Sequence, residues 1–257
     1  MERSELPIAV IDSGVGGISV LNELLKILPN ENYIYFGDSK NAPYGNRTKD
    51  DVLNITRKNL DFLLKKGIKA LVIACNTATS AAAKVLREEN PKLCIIGIEP
   101  AIKPAAELCK SPSVWVMATP LTLKEEKFLS LVARFSDRER ITPIPCVGLV
   151  ELIESGVLDG PQLDNYLSTL FAPYKNDPPN AVVLGCTHYP HIKSAIIRNL
   201  PEGIVILDGG EGTARETRRR LSVESLLRQS STPPSIEIIN TNGSPELLEL
   251  SKKLIKY

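Results

Sequence analysis

The residues best suited to chemistry in this 257-residue chain sit in two short segments that repeat one pattern. ALVIACNT (Ala70–Thr77) and AVVLGCTH (Ala181–His188) each run from an alanine through an apolar stretch to a small residue, a cysteine and a polar pair. One cysteine at the end of an apolar run is ordinary core filler. Two in matched surroundings are a candidate pair of reactive thiols, with Asn76 and Thr77 beside Cys75, and Thr187 and His188 beside Cys186. A helix N-terminus is expected after each cysteine, where free N–H groups favour a thiolate and a bound carboxylate. Asp12 and His188 offer a proton relay beside each thiol.

Other polar groups fall at strand ends too. Asp12 and Ser13 close one apolar run and lead into GVGG, whose glycines allow a tight turn into a helix. The spacing is not the full G-x-G-x-x-G, so a dinucleotide loop is not supported. Thr119 follows VWVMA. Cys186 and His188 are too close together for a zinc finger, and no C-x-x-C accompanies them, so no metal site is expected. His191 follows Pro190 and reads as a structural or surface residue, and Cys94, Cys109 and Cys146 read as packing.

Apolar runs of strand length alternate with helical patterns along the chain. The expected strands are Ile8–Ile11, Tyr33–Phe36, Ala70–Ala74, Cys94–Ile98, Val114–Met117, Thr142–Ile144, Ala181–Leu184, Val205–Leu207 and Ile236–Ile239. Continuous Val/Ile/Leu runs imply strands covered on both faces, hence mainly parallel sheets flanked by helices. PIAVIDSG and PSVWVMATP form a second repeat, each preceding one of the cysteine strands. The expectation is an α/β protein of two pseudo-symmetric lobes. Residues 1–98 plus 209–257 form the Asp12 and Cys75 side, and residues 99–208 form the Cys186 and His188 side. Ligands of open α/β sheets bind beyond the carboxyl ends of the strands, where these polar groups fall.

Lys and Arg number 31 against 30 Asp and Glu, and no basic stripe interleaved with aromatics occurs, so nucleic acid is not an expected partner. The run Arg218–Arg220 reads as a solvated helix face. No apolar stretch approaches the ~18 residues of a membrane span, and the N-terminus has no signal-peptide pattern. The five cysteines have neither the pairing nor the spacing of a disulfide framework. A cytoplasmic protein with no membrane partner is expected.

Taken together, DSGVGG, GDSKNAPYG, ACNTATS and GCTHYP resemble the glutamate racemases of the aspartate/glutamate racemase superfamily. GIEPAIKPA, LVELIESG and the late TNG extend the resemblance over essentially the whole chain. The sequence departs from the family where Thr119-Pro-Leu-Thr122 replaces T-x-G-T and where DGGEG stands in place of a turn containing D-S. The resemblance implies two α/β lobes with the active site in the cleft between them and no cofactor. It implies that Cys75 and Cys186 act from opposite faces of the substrate, assisted by Asp12 and His188 respectively. Asp12, Ser13, Pro43, Tyr44, Gly45, Asn76, Thr77, Thr119, Thr187 and His188 would hold the amino acid, and Glu151 would lie near the second cysteine.

The implied chemistry accounts for the duplicated cysteine. A racemase removes the Cα proton on one face and returns a proton on the other, which two acid/base groups do without turning the substrate over. Ala74 and Gly185, small residues before each cysteine, would let the backbone approach the ligand, and the NAPYG loop would close one end of the pocket. The expected activity is interconversion of L- and D-glutamate, supplying D-glutamate for peptidoglycan. Another racemase of the superfamily, acting on aspartate, a hydantoin or a broader set, is the alternative. A cysteine hydrolase using Cys186 and His188 is a more distant one, which leaves Cys75 unexplained. A homodimer is compatible with the sequence, which does not fix the quaternary state.

Overall fold

The computed structural model describes residues 2–108, 113–124, 126–133, 140–230 and 232–256; Cys109 lies outside them. Its strands are β1 Ile8–Asp12, β2 Tyr33–Gly37, β3 Ala70–Ile73, β4 Cys94–Gly97, β5 Ser113–Ala118, β6 Arg140–Pro145, β7 Ala181–Leu184, β8 Val205–Asp208 and β9 Ile236–Asn240. The α-helices are α1 Ile18–Ile27, α2 Lys49–Lys66, α3 Asn76–Glu89, α4 Ile102–Ala106, α5 Pro120–Lys124 and α6 Glu126–Ala133 in the first part of the chain. They continue as α7 Leu149–Glu154, α8 Pro161–Phe171, α9 Lys193–Arg198, α10 Gly210–Val223 and α11 Pro245–Leu254.

The chain divides into two compact units, Met1–Glu99 with Gly210–Tyr257, and Pro100–Gly209. The first contains a five-stranded sheet in the order β4-β3-β1-β2-β9, the second a four-stranded sheet in the order β6-β5-β7-β8. Every pairing is parallel. The order β2-β1-β3-β4 of the first sheet recurs as β6-β5-β7-β8 in the second, and β9, formed after the chain returns, is added beside β2.

Register carries the likeness to single residues. Ile8 stands opposite Ala70 as Val114 stands opposite Ala181, and Ile11 opposite Ile73 as Met117 opposite Leu184. The two sequence repeats are therefore the paired central strands of each sheet. All residues of β1, β3, β5 and β7 are buried, as continuous apolar runs under helices on both faces require. The marginal strands β6, β8 and β9 are partly exposed.

Helices follow where an apolar stripe and a cap coincide. In α2, Val52, Thr56, Leu60 and Leu63 repeat at helical spacing and are buried, and the Thr48 side chain accepts the Asp51 N–H to cap the first turn. In α3 the buried face is largely alanine, with Ala78, Ala81, Ala82 and Ala83, which permits close packing. The core of the second unit includes Trp115, whose ring lies 5.6 Å from Phe171 and 5.5 Å from Tyr174. No helix among the described residues is long and apolar enough to cross a membrane.

Candidate active site

In the first unit, β1 and β3 bring their ends side by side. The Ala74 N–H donates to the Ile11 carbonyl at 2.9 Å, which sets Asp12 and Ser13 next to Cys75. All three are buried, at 3%, 6% and 6% exposure. Asp12 Oδ1 accepts the Gly14 N–H at 3.0 Å, and Tyr35 donates to the Gly14 carbonyl at 2.6 Å, so the GVGG turn is fixed from both sides. A Cβ on Gly17 would stand 2.6 Å from Asp12 Cβ and 3.0 Å from Ala74 Cβ, so the glycine lets α1 start against these strand ends.

Cys75 caps α3. Its sulfur accepts the Ala78 N–H at 3.4 Å and lies 3.9 Å from Ser13 Oγ, so the thiol occupies the anion-favouring end of a fourteen-residue helix. Asn76 and Thr77 begin that helix and are buried. Asn76 Oδ1 has no hydrogen-bond partner among the described residues. A buried acceptor left unmade costs about 1–3 kcal/mol, which a ligand N–H donor would offset.

Tyr44 is buried beside this site, and its hydroxyl donates to Asp38 Oδ2 at 2.6 Å. Burial and then the Asp38 carboxylate push its pKa far up, with Cys75 and Asp12 adding to the shift. The phenol stays protonated and within electrostatic reach of both. Pro43 and Gly45 flank it, half-buried.

In the second unit, Cys186 follows β7 and is partly exposed. The helix expected directly after it does not form. A turn at Thr187 and His188 leads into a 3₁₀ segment, Tyr189–Ile192, before the short α9. Pro190 in the first turn has no N–H to give, which limits the run of free donors the sequence promised. The thiol instead meets an imidazole, with Cys186 Sγ 3.6 Å from His188 Nδ1 and His188 Nε2 2.7 Å from Glu154 Oε1. His188 is buried at 1% exposure. Burial opposes its charge, but the hydrogen bonds and charges of Cys186 and Glu154 outweigh this and hold its pKa well above 6.5.

The glutamate that meets His188 is Glu154. Glu151 and Glu154 lie three residues apart on α7, where Val150 and Ile153 face inward. Glu151 is exposed, and its charge is felt at Tyr166. The signal that finds Glu154 is helical phase, because it follows buried Val150 by four residues.

Thr187 is buried. Thr119 Oγ1 accepts the Thr122 N–H at 3.3 Å and shares a 2.9 Å hydrogen bond with the Thr122 hydroxyl, capping α5 where the T-P-L-T departure occurs. Gly185 owes its size to the neighbouring strand, since a Cβ there would meet the Met117 carbonyl at 2.9 Å and Ala118 Cβ at 3.1 Å. Smallness at Gly185 is thus accounted for by Met117 and Ala118. Cys94 and Cys146 are buried, their thiols pushed up to about 11 and about 12, chiefly by burial, as packing residues would be. His191 is half-buried and donates its N–H to the His188 carbonyl. An open groove of about 560 Å³ in this unit, lined by Val147, Leu152 and Tyr166 among others, includes none of the site residues. Among the described residues no group of three or more His, Cys, Asp or Glu side chains could hold a metal ion.

The profile of the Asp/Glu/Hydantoin racemase family matches residues 8–217. The chain is 50% identical over 256 residues to the glutamate racemase of Clostridium botulinum (strain Alaska E43), a match covering 100% of this chain and 99% of that protein. It is 50% identical over 257 residues to that of Clostridium kluyveri, covering 100% of each. Among solved structures it is similar to Escherichia coli glutamate racemase in complex with L-glutamate and the activator UDP-MurNAc-Ala. That similarity has a TM-score of 0.86 and 30% identity, over 97% of this chain and 95% of the other. The Francisella tularensis enzyme in complex with D-glutamate gives 0.85 and 26%, over 99% and 95%.

Proposed function

Because the chain belongs to the Asp/Glu/Hydantoin racemase family, we propose that it interconverts L- and D-glutamate by two-base proton transfer at Cα, with Cys75 and Cys186 as the two acid/base groups. The observation that carries this is the pair of equivalent strand ends, each closing on a cysteine in the same register against a central strand. In either direction one sulfur takes the Cα proton as thiolate and the other returns a proton as thiol, so the two exchange protonation states at each turnover.

The surrounding groups fit the rest of the reaction. The N-terminus of α3, with Asn76 and Thr77, supplies N–H donors for the α-carboxylate, and Thr187 adds a hydroxyl. These donors stabilise the negative charge that develops as the Cα proton leaves. The unpaired Asn76 Oδ1 is an acceptor and suits the ammonium group. Asp12 and Ser13 serve the Cys75 side, and His188, oriented by Glu154, serves Cys186. Pro43, Tyr44 and Gly45 receive the distal carboxylate, and Thr119 borders the site. These groups supply both proton transfers and the charge stabilisation themselves, so the reaction needs no cofactor or metal. Its product, D-glutamate, would serve peptidoglycan synthesis in the cytoplasm.

The test is circular dichroism of purified protein with single enantiomers of glutamate, aspartate, alanine and a hydantoin. Both glutamate enantiomers should decay to the racemate, unaffected by a chelator and without added pyridoxal phosphate. Preference for another member of the panel would overturn the substrate, and activity lost to the chelator and restored by a metal would overturn the cofactor-free scheme.

A further inference from the structure

A heavily bonded buried carboxylate near the proposed site belongs to Asp38, which the chemistry above does not use. Asp38 is 1% exposed. Its Oδ1 accepts from the Thr241 hydroxyl at 2.7 Å and from Asn41 Nδ2 at 3.1 Å. Its Oδ2 accepts from the Tyr44 hydroxyl at 2.6 Å, Asn41 Nδ2 at 3.0 Å and Asn59 Nδ2 at 3.1 Å. These donors come from three separate parts of the first unit: the 38–46 loop itself, α2, and the segment just after β9.

The backbone repeats the tie. The Asp38 N–H donates to the Asp12 carbonyl at 2.9 Å, and the Thr241 N–H to the Gly37 carbonyl at 3.0 Å. Thr241 Oγ1 also accepts the Lys40 N–H at 3.1 Å, and Asn240 Nδ2 donates to Ser39 Oγ at 2.9 Å. One face of the loop is thus bound to the Asp12 strand end and the other to residues 240–241. Asn59 Nδ2 reaches Tyr44 OH as well, at 3.2 Å, so the phenol is held from two sides.

A buried carboxylate satisfied by this many donors is a rigid anchor, and charge-assisted hydrogen bonds are the strong ones. We propose that Asp38, clamped by Thr241 and Asn59, is a positioning residue that presets the Pro43–Gly45 loop at a fixed reach from Asp12 and so selects an amino acid with a distal carboxylate. This rests on the reading that the loop receives that carboxylate. Asp38 acts through Tyr44 and the loop backbone and takes no part in proton transfer. A mobile loop would have to be ordered at each binding event, whereas a preset one spares that cost. The effect therefore falls on substrate affinity.

The test uses the full-length protein with Thr241→Val, which removes the hydroxyl at nearly constant volume, and Thr241→Ser, which retains it. With Thr241→Val, KM for both glutamate enantiomers should rise about tenfold, the loss expected of one charge-assisted hydrogen bond, while kcat stays within about twofold. Thr241→Ser should restore KM. Amide hydrogen exchange, read without substrate, should quicken over residues 39–47 in Thr241→Val alone, with the exchange of β5 and β7 unchanged. Unchanged exchange in that loop overturns the anchor whatever the substrate proves to be. Quickened exchange with unchanged KM, or a fall in kcat alone, overturns its role in selecting the distal carboxylate. Wild-type protein inactive on glutamate would instead overturn the reading on which the proposal rests, and the exchange result would still decide the anchor.

Discussion

Glu154 lies 2.7 Å from the far nitrogen of the His188 ring, while the near nitrogen faces Cys186 at 3.6 Å. Cys75 has its neighbouring acid, Asp12, from the adjacent strand. Register explains the difference, because the position of Asp12 in the first sheet is held by Ala118 in the second. The second thiol therefore draws its partner from the chain that follows it, and His188 in turn draws its orientation from α7.

Replacing Glu154 by Gln keeps the shape of this relay but removes the charge that fixes the ring. Glu154→Gln should lower kcat about 10- to 100-fold, below the roughly 10²–10⁴-fold assigned to a general acid–base group itself. Glu151→Gln, on an exposed position of the same helix, should stay within about twofold. Steady-state racemisation of both enantiomers checks this, and the opposite ranking would overturn the role of Glu154.

Single cysteine variants test the division of labour. Cys75→Ala and Cys186→Ala should each abolish racemisation in both directions, since each direction uses both sulfurs. Each should still exchange the Cα proton of one enantiomer slowly with solvent deuterium, and the two should prefer opposite enantiomers. Proton NMR in deuterium oxide reads this directly, and exchange of the same enantiomer by both variants would contradict the scheme.

His188 also links stability to pH. Its folded pKa is raised, so protonation favours the folded state. That contribution is complete below the unfolded value of about 6.5 and is lost as pH rises through the higher folded value. Glu154→Gln should therefore melt below the wild type by the largest margin near pH 6, with the gap narrowing as the medium becomes alkaline. Thermal melts across this range decide it, and a gap that widens with pH would show that the ring is neutral in the fold.

Gly185 and Gly212 make a matched pair of substitutions. Gly185→Ala drives a methyl to 2.9 Å from the Met117 carbonyl, and Gly212→Ala meets nothing within 4 Å on α10. Gly185→Ala should cost about 1–3 kcal/mol, as overpacking does, and lower kcat by displacing Cys186. Gly212→Ala should be neutral or stabilise by up to about 1 kcal/mol. Equal melting temperatures for the two would remove the steric account of Gly185.

The central strands β1, β3, β5 and β7 were legible because they are continuous apolar runs, as double-sided burial requires. All nine expected strands form, with ends displaced by at most two residues. What the sequence hid is what depends on phase or distance. Glu154 differs from Glu151 only in which way it faces on a helix turn. After Cys186 the chain takes a turn and a 3₁₀ segment where the apolar spacing suggests a helix start. The Asp38 clamp joins residues 203 apart in sequence, and nothing local to Asp38 announces Thr241. Gly185 was legible as a small residue, but its reason lay on the neighbouring strand.

The late arrival of β9 has a consequence for how the chain is made. On the ribosome, β5 to β8 follow one another without interruption, but the first sheet stands with one edge open while all of residues 100–209 are synthesised. That edge is β2, YIYFG, an apolar parallel strand whose free N–H and C=O groups would template a wrong pairing. Completion of β9 closes it, and the next residue, Thr241, reaches Asp38 in the same event. In order of synthesis, the strand that covers β2 and the residue that bonds Asp38 thus come together, after the whole second unit. A chain stopped before Ile236 should accumulate as insoluble material and not as a weakened enzyme.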